Sequence, residues 1–289
     1  MTTSNAPPHA APMRILWQSS TPITRYPAYN DAIVAHAARV LGPHVEVVVR
    51  GTLRPTFGTY TRAAFFLKSS DMMDSIVAAA DEGFDGVGIG CFLDPILHEL
   101  REILDIPVMG LAETGMHMAC MLGQRFAILS HSEALNVKVY DSLAERYGLR
   151  ARMSGMHAVD LSMDVLEKAI TGDPAPAMAL LNEAGKKLVD QGAEVIVPGC
   201  GLLNLLCVQQ GLNQIAGATV LDVTGALLKM TETMVMLRRV SGTGVSRTGY
   251  YERPAEADMR KTLASFGRGK VGGSDASSAV TAPTLKAAA

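Results

Sequence analysis

Along this chain, short valine- and isoleucine-rich runs alternate with longer stretches whose apolar residues recur every three or four positions. RILWQSS, from Arg14, reads as a first strand with a polar loop after it. YNDAIVAHAARVLG (29–42) has helical spacing and closes on Gly42, and HVEVVVRG (44–51) reads as a second strand. MMDSIVAAADEG (72–83) predicts a helix, GVGIG (86–90) a third strand, PILHELREIL (95–104) a helix and IPVMGLAE (106–113) a fourth strand. The second half runs the same course. RFAILSHS (125–132) is a strand, EALNVKVYDSLAERYG (133–148), LEKAITG and PAMALLNEAGKKLVDQG are helices, and EVIVPG and ATVLDVTG (218–225) are strands. Strands alternating with helices predict an α/β fold with mostly parallel sheets covered on both faces.

The two halves share a register. Asp81, Gly83, Asp85, Gly90 and Cys91 match Asp190, Gly192, Glu194, Gly199 and Cys200 at an offset of 109 positions (200 − 91). Arg14 and Arg125 lie 111 apart (125 − 14), and Val108 and Val220 lie 112 apart (220 − 108). A near-constant offset over three elements predicts two pseudo-symmetric lobes with a cleft between them. The expected organisation is a tail at 1–12, a first lobe at 13–118 holding Cys91, and a second at 119–225 holding Cys200. A C-terminal helix and closing segment follow at 226–266. Residues 267–289, rich in Gly, Ser and Ala, have little to bury and are expected to be an unstructured tail, like 1–12.

Composition narrows the function. A net charge of −2 gives no electrostatic reason to bind nucleic acid or an anionic membrane surface. No apolar run reaches the ~18–20 residues that span a bilayer. The N-terminal MTTSNAPPHAAP lacks a secretory pattern, so the expected compartment is the cytoplasm, where thiols stay reduced. The 4 cysteines (91, 120, 200, 207) form no Cys-x-x-Cys pair and have no histidine at zinc spacing, so no metal is expected. GVGIGC lacks the further glycine and the ribose-binding acid of a dinucleotide site.

A cysteine beside a strand is usually a small buried hydrophobe. Cys120 in GMHMACMLG and Cys207 in LLNLLCVQQ fit that reading, being set among apolar neighbours on helices. Cys91 and Cys200 differ. Each follows a glycine-rich strand, at the carboxyl end where open α/β sheets bind ligands, and each precedes residues that begin a helix. Asp94-Pro95 fits an N-cap and first helical position. Backbone N–H groups at such a start favour thiolate and hold an oxyanion. Two opposed thiols suit inversion at a carbon acid: one removes a proton, the other delivers one to the opposite face, and no cofactor is required. Glu113, after the fourth strand, is a candidate cleft carboxylate. His131 could approach the cleft, His117 flanks the segment between the lobes, and His98 and Glu99 read as a solvated helix face. The methionines of LLKMTETMVMLRRV (227–240) fit core or subunit packing.

The segment GCFLDPILHELREILDIPVMGLAETGMHMACMLGQRFAIL, the second cysteine motif and the ending GTGVSRTGYYERP (242–254) together resemble the aspartate/glutamate/hydantoin racemase superfamily, in its hydantoin and allantoin racemase branch. The resemblance spans about residues 13–254. It implies Cys91 and Cys200 as the catalytic pair, and Phe92, Gly201 and Leu202 as backbone donors. The loop QSSTPI stands where these racemases read Asn-Pro-Asn-Thr, so Ser19 and Thr21 take the positions of substrate-binding asparagines. Ser130 stands where a substrate-binding threonine is common. The resemblance further implies a homo-oligomer acting on a small molecule without a cofactor. Racemases of free aspartate or glutamate follow their cysteines with Asn or Thr, whereas this chain has Cys-Phe-Leu and Cys-Gly-Leu. An apolar pocket of that kind suits a neutral ring such as a 5-substituted hydantoin. Two alternatives stand beside the racemase: a decarboxylase or cis-trans isomerase of the same superfamily, resembling arylmalonate decarboxylase or maleate isomerase, and a non-catalytic two-lobed binder.

Overall fold

The computed structural model describes residues 12–56, 61–131, 138–267 and 280–281. The first half forms β1 (Met13–Gln18), α1 (Pro27–Val40), β2 (Val45–Arg50), α2 (Arg62–Asp81), β3 (Gly86–Ile89), α3 (Leu97–Ile103), β4 (Val108–Gly110) and α4 (Leu111–Leu122). The second forms β5 (Phe126–His131), α5 (Lys138–Arg146), β6 (Met153–Val159), α6 (Met163–Thr171), α7 (Ala175–Asp190) and β7 (Val195–Pro198). It continues through α8 (Gly201–Gln209), β8 (Gln214–Ile215), β9 (Ala218–Val220) and α9 (Val223–Ser241). After these come α10 (Glu256–Ser265) and β10 (Val280–Thr281). The two sheets run β10-β2-β1-β3-β4 and β6-β5-β7-β9-β8. Apart from the antiparallel edge strands β10 and β8, every pairing is parallel, and the order β2-β1-β3-β4 repeats as β6-β5-β7-β9. This is the predicted α/β fold of two equivalent lobes.

The offset read from the sequence has a structural cause. Gly83 and Gly192, at φ 80° and 92°, end α2 and α7 in the left-handed conformation that glycine adopts without penalty. In both lobes the next residue then bonds back into the helix, Phe84 N–H to Ala79 and Ala193 N–H to Leu188, each at 3.1 Å. Asp85 accepts the Arg14 N–H at 2.8 Å and Glu194 accepts the Gln124 N–H at 2.7 Å, so each acid ties its strand to the start of the lobe. Gly90 and Gly199 then donate to Gln18 and Leu129, and the two cysteines emerge at equivalent strand ends.

Both faces of the first sheet are buried. Met13, Ile15, Trp17, Val47 and Val49 join a core that continues through the second lobe, while Leu16, Val48, Val87 and Ile89 pack on α2 and α3. The lobes also exchange helices. α4, which runs through the boundary expected at 118–119, lies on β7, with Gly115 beside Val197 and Gly123 beside Val195. α9, which runs through 225–226, returns to β3: a Cβ at Gly86 would meet Val235 at 2.8 Å, and one at Gly88 would meet Leu227 at 3.3 Å. Burying these helix faces against the opposite sheet makes one core of two halves.

Several elements depart from the periodicity. α2 begins at Arg62, capped by Thr61, ten residues before the helix read from the sequence; its first turns expose Phe66 and Leu67, which obscures their helical pattern. IPVMGLAE and ATVLDVTG each divide into a strand of three residues and a helix start. β6 and β8 carry no strong apolar alternation and were not foreseen. Val280–Thr281, inside the expected tail, pairs antiparallel with Val48–Val49. The part of EALNVKVYDSLAERYG before Lys138, and the remainder of both expected tails, lie outside the described residues. Among the described residues no helix is long and apolar enough to cross a membrane.

Candidate active site

Cys91 follows β3, and Cys200 follows β7, at the carboxyl ends of equivalent strands. Both glycines before them are forced by close packing. A Cβ at Gly90 would lie 2.4 Å from Trp17 Nε1, and one at Gly199 would lie 2.8 Å from Ile128 Cγ2. Trp17 and Ile128 occupy matching positions on β1 and β5, 111 apart (128 − 17).

The two thiols then enter different backbones. Cys200 is the N-cap of α8, its carbonyl accepting the Asn204 N–H at 2.9 Å, so the Gly201 and Leu202 N–H groups lie in a first helical turn without intrahelical acceptors. Cys91 instead opens a turn closed by the Asp94 N–H on its carbonyl at 3.0 Å, and α3 starts only at Leu97. Asp94 and Ile96 sit at φ 43° and 51°, a strained region for a β-branched residue. Asp94 is therefore not the N-cap of its own helix. Its carboxylate crosses to the start of α4 and accepts the Ala112 and Glu113 N–H groups at 2.9 and 2.7 Å, and the Tyr147 hydroxyl at 2.7 Å. The second lobe has an equivalent: the Asn204 side-chain carbonyl accepts the Thr224 N–H of α9 at 2.9 Å.

Burial raises the Asp94 carboxyl to about 6, against the opposing effect of its three donors. The folded protein therefore holds a proton there between about pH 4 and 6 that the unfolded chain has released. This contribution to stability is complete below about pH 4 and is lost as pH rises through about 6, on the order of 3 kcal/mol in all. Asp94→Asn is expected to flatten that dependence while keeping the cap, and Asp94→Ala to lose the cap at every pH. Urea midpoints of the three proteins between pH 4 and 7 test both expectations.

Ser19, just after β1, and Ser130, one residue before the end of β5, stand at matching positions 111 apart (130 − 19), and both are buried. Ser130 is bonded to the Tyr140 hydroxyl at 2.9 Å, whereas the Ser19 hydroxyl has no hydrogen-bond partner among the described residues. Thr21 is half-buried, and its carbonyl accepts the Thr52 N–H at 3.2 Å, pinning the loop beneath the end of β2. Phe92 is buried, its ring edge-on to Tyr140 at 5.9 Å. Leu202 is fully buried, and Gly201 packs on the Tyr29 phenol, where a Cβ would lie 2.5 Å from the oxygen.

The sequence reading missed Tyr29, Tyr140 and Met163. Burial first, then Cys200 and Cys91 in that order, push Tyr29 well up. The same cysteines, after burial, raise Tyr140 against the opposing Ser130 bond. The two phenols lie beside both cysteine turns, Tyr29 against Gly201 and Tyr140 against Phe92 and the Gly199 carbonyl. The Cys200 thiol also donates to the Met163 sulfur at 3.7 Å. A clue lay in the repeat, since Tyr29 and Tyr140 are themselves 111 apart (140 − 29).

Other candidates resolve into structure. Glu113 stands in the first turn of α4, paired with Arg101 at 2.8 Å, and is no cleft carboxylate. His117 bonds the Glu113 carbonyl one turn back, and His131 is buried at the end of β5. His98 is no solvated face: its ring stacks on Tyr251 and bonds that hydroxyl at 2.7 Å. The ending GTGVSRTGYYERP thereby packs on α3, with Arg247 donating to the Arg101 and Glu102 carbonyls. Burial pushes the Cys207 thiol up to about 12 and raises Cys120, as suits packing residues.

The profile of the Asp/Glu/Hydantoin racemase family matches residues 27–231, a span that takes in both cysteine strands. The chain belongs to this family. It is 29% identical over 204 residues to a hydantoin racemase of Pseudomonas sp. (strain NS671), covering 70% of this chain and 78% of that protein. It is 30% identical over 184 residues to a hydantoin racemase of Rhizobium meliloti, covering 63% and 72%. Among solved structures, allantoin racemase from Klebsiella pneumoniae superposes with a TM-score of 0.71 at 26% identity, covering 84% of this chain and 94% of that one. Glutamate racemase from Francisella tularensis subsp. tularensis SCHU S4, at 16% identity and a TM-score of 0.57 over 82% and 85% of the chains, shares the fold. Family membership makes this protein a racemase by descent, as its cysteine motifs led one to expect.

Proposed function

We propose that this racemase inverts the carbon beside a carbonyl in a neutral ring, a 5-substituted hydantoin or allantoin, with Cys91 and Cys200 working on opposite faces. The observation that carries the reading is the pair of thiols at equivalent strand ends, with Tyr140 touching both Phe92 beside Cys91 and the Gly199 carbonyl beside Cys200. The names of the relatives supply the ring class. One thiolate takes the α-proton, and the electron pair moves onto the carbonyl oxygen as an enolate. The opposite thiol then protonates the carbon from the other face, and the roles reverse for the other enantiomer. The Gly201 and Leu202 N–H groups, at the start of α8, are placed to hold the enolate oxygen near Cys200, with the Phe92 N–H beside Cys91. The unpaired Ser19 hydroxyl and the Thr21 loop supply polar contacts to the ring amides. Proton removal and return balance without any cofactor. The same reading places the enzyme in the cytoplasm as a homo-oligomer, a state that sedimentation measures directly.

The test is incubation of single enantiomers of 5-alkyl and 5-aryl hydantoins, allantoin and an arylmalonate in deuterated water. Loss of optical rotation with one deuterium entering the α-carbon of a ring substrate is the expected result. Release of carbon dioxide from the malonate, with every ring untouched, would overturn it in favour of a decarboxylase.

A further inference from the structure

The repeat-related tyrosines do not serve the two cysteines alike. Tyr29 lies in the first turn of α1, where its N–H and that of Ala28 donate to the Glu167 carboxylate of α6 at 3.1 and 2.8 Å. Its phenol oxygen presses on Gly201, the residue after Cys200. Tyr140, on α5, donates its hydroxyl to the carbonyl of Gly199, the residue before Cys200, at 3.4 Å, and so accepts from Ser130. Two hydroxyls thus bracket Cys200 from both sides. Around Cys91 the neighbours meet ring surfaces instead: the Trp17 indole lies against Gly90, and the edge of Tyr140 against Phe92.

Resting on the two-thiol reading above, we propose that Tyr29 and Tyr140 are positioning residues for Cys200. Their hydroxyls fix the turn from Gly199 to Gly201 and with it the direction of the thiol, while Cys91 is held by its own backbone turn, closed by the Asp94 N–H, and by ring packing, with no tyrosine hydroxyl bonded to that turn among the described residues. Both phenols are buried and, being raised by burial and the cysteines, remain protonated. Neither competes with a thiol for the substrate's proton. The two bases of the racemase are therefore held by different side chains. Steady-state racemisation hides this difference, because kcat/KM for the two enantiomers must stay equal when the equilibrium constant is one. Exchange of the α-proton with solvent, followed separately for each enantiomer before inversion, reveals it.

The experiment uses both enantiomers of a 5-alkylhydantoin in deuterated water with the full-length enzyme. Cys91→Ser identifies the enantiomer served by Cys200, the one that still exchanges, and Cys200→Ser identifies the other. Tyr29→Phe and Tyr140→Phe, which remove only the hydroxyls, are expected to slow exchange of the Cys200 enantiomer about tenfold, with the other changed less than about twofold. Ser130→Ala, which strips Tyr140 of one partner and leaves its ring, is expected to shift the same enantiomer in the same direction. Equal slowing of both enantiomers, or of neither, in the two phenylalanine variants would overturn the assignment and leave the two-thiol reading intact. If the serine variants fail to separate the enantiomers, the two-thiol reading itself falls.

Discussion

Cys91→Ser and Cys200→Ser are each expected to reduce racemisation at least ~1,000-fold, within the range that a positioned acid or base contributes. A serine hydroxyl keeps nearly the shape of the thiol and fills the same space, so the fold is retained. It does not ionise near neutral pH, and so can neither take the α-proton nor return one efficiently. Because inversion needs both faces, losing either group stops it, and the double variant should be no worse than the weaker single. Polarimetry on a single ring enantiomer measures the loss. Substantial racemisation by either serine variant would remove that cysteine from the mechanism. The same substitution at Cys120 or Cys207 should leave the rate close to wild type, since those thiols pack among apolar side chains on α4 and α8.

Gly90→Ala is expected to be more damaging than the same change at Gly199, its counterpart in the second lobe. The added Cβ would lie 2.4 to 2.6 Å from three atoms of the Trp17 indole, and Trp17 is the largest fully buried side chain among the described residues. Neither partner has room to yield: the indole is in the core, and the Gly90 N–H is bonded to the Gln18 carbonyl at 2.9 Å. Overpacking of this kind costs about 1–3 kcal/mol, and the Cys91 backbone moves with it. Gly199→Ala meets an Ile128 methyl at 2.8 Å and the Ser130 side chain at 3.3 Å, a looser fit than the indole, and should cost less. Urea denaturation of both variants, with racemisation measured on the folded fraction, checks the order. A Gly90→Ala enzyme as stable and active as wild type would mean that the indole does not hold the Cys91 strand end.

The contrast between these glycines shows how far letters alone reach. The match of Gly90-Cys91 to Gly199-Cys200 was legible because it is a contiguous pattern repeated at a fixed offset. That Gly90 faces an indole and Gly199 an isoleucine was not, since Trp17 and Ile128 stand on other strands. Asp94 taught the same lesson. An Asp-Pro pair beside a helix reads as a local cap, yet its carboxylate serves α4, eighteen and nineteen residues away in sequence. Glu113 follows a run of apolar residues that reads as one strand, yet that strand stops at Gly110, and Glu113 lies in the first turn of α4, paired with Arg101.

By itself the sequence determined the α/β alternation, the repeat, the two thiols at strand ends and the family, for each of these is written in neighbouring residues or in a spacing that survives without coordinates. Only the tertiary structure decided which lobe each helix covers, that Asp94 and Asn204 cap helices of later elements, and that two tyrosines 111 positions apart (140 − 29) both reach the turn of Cys200. The physical reason is one of range. Hydrophobic period and glycine placement act over a few residues, whereas a cap, an unpaired hydroxyl or a bracket of phenols depends on partners brought together when one face of each sheet is buried in the core the two lobes share.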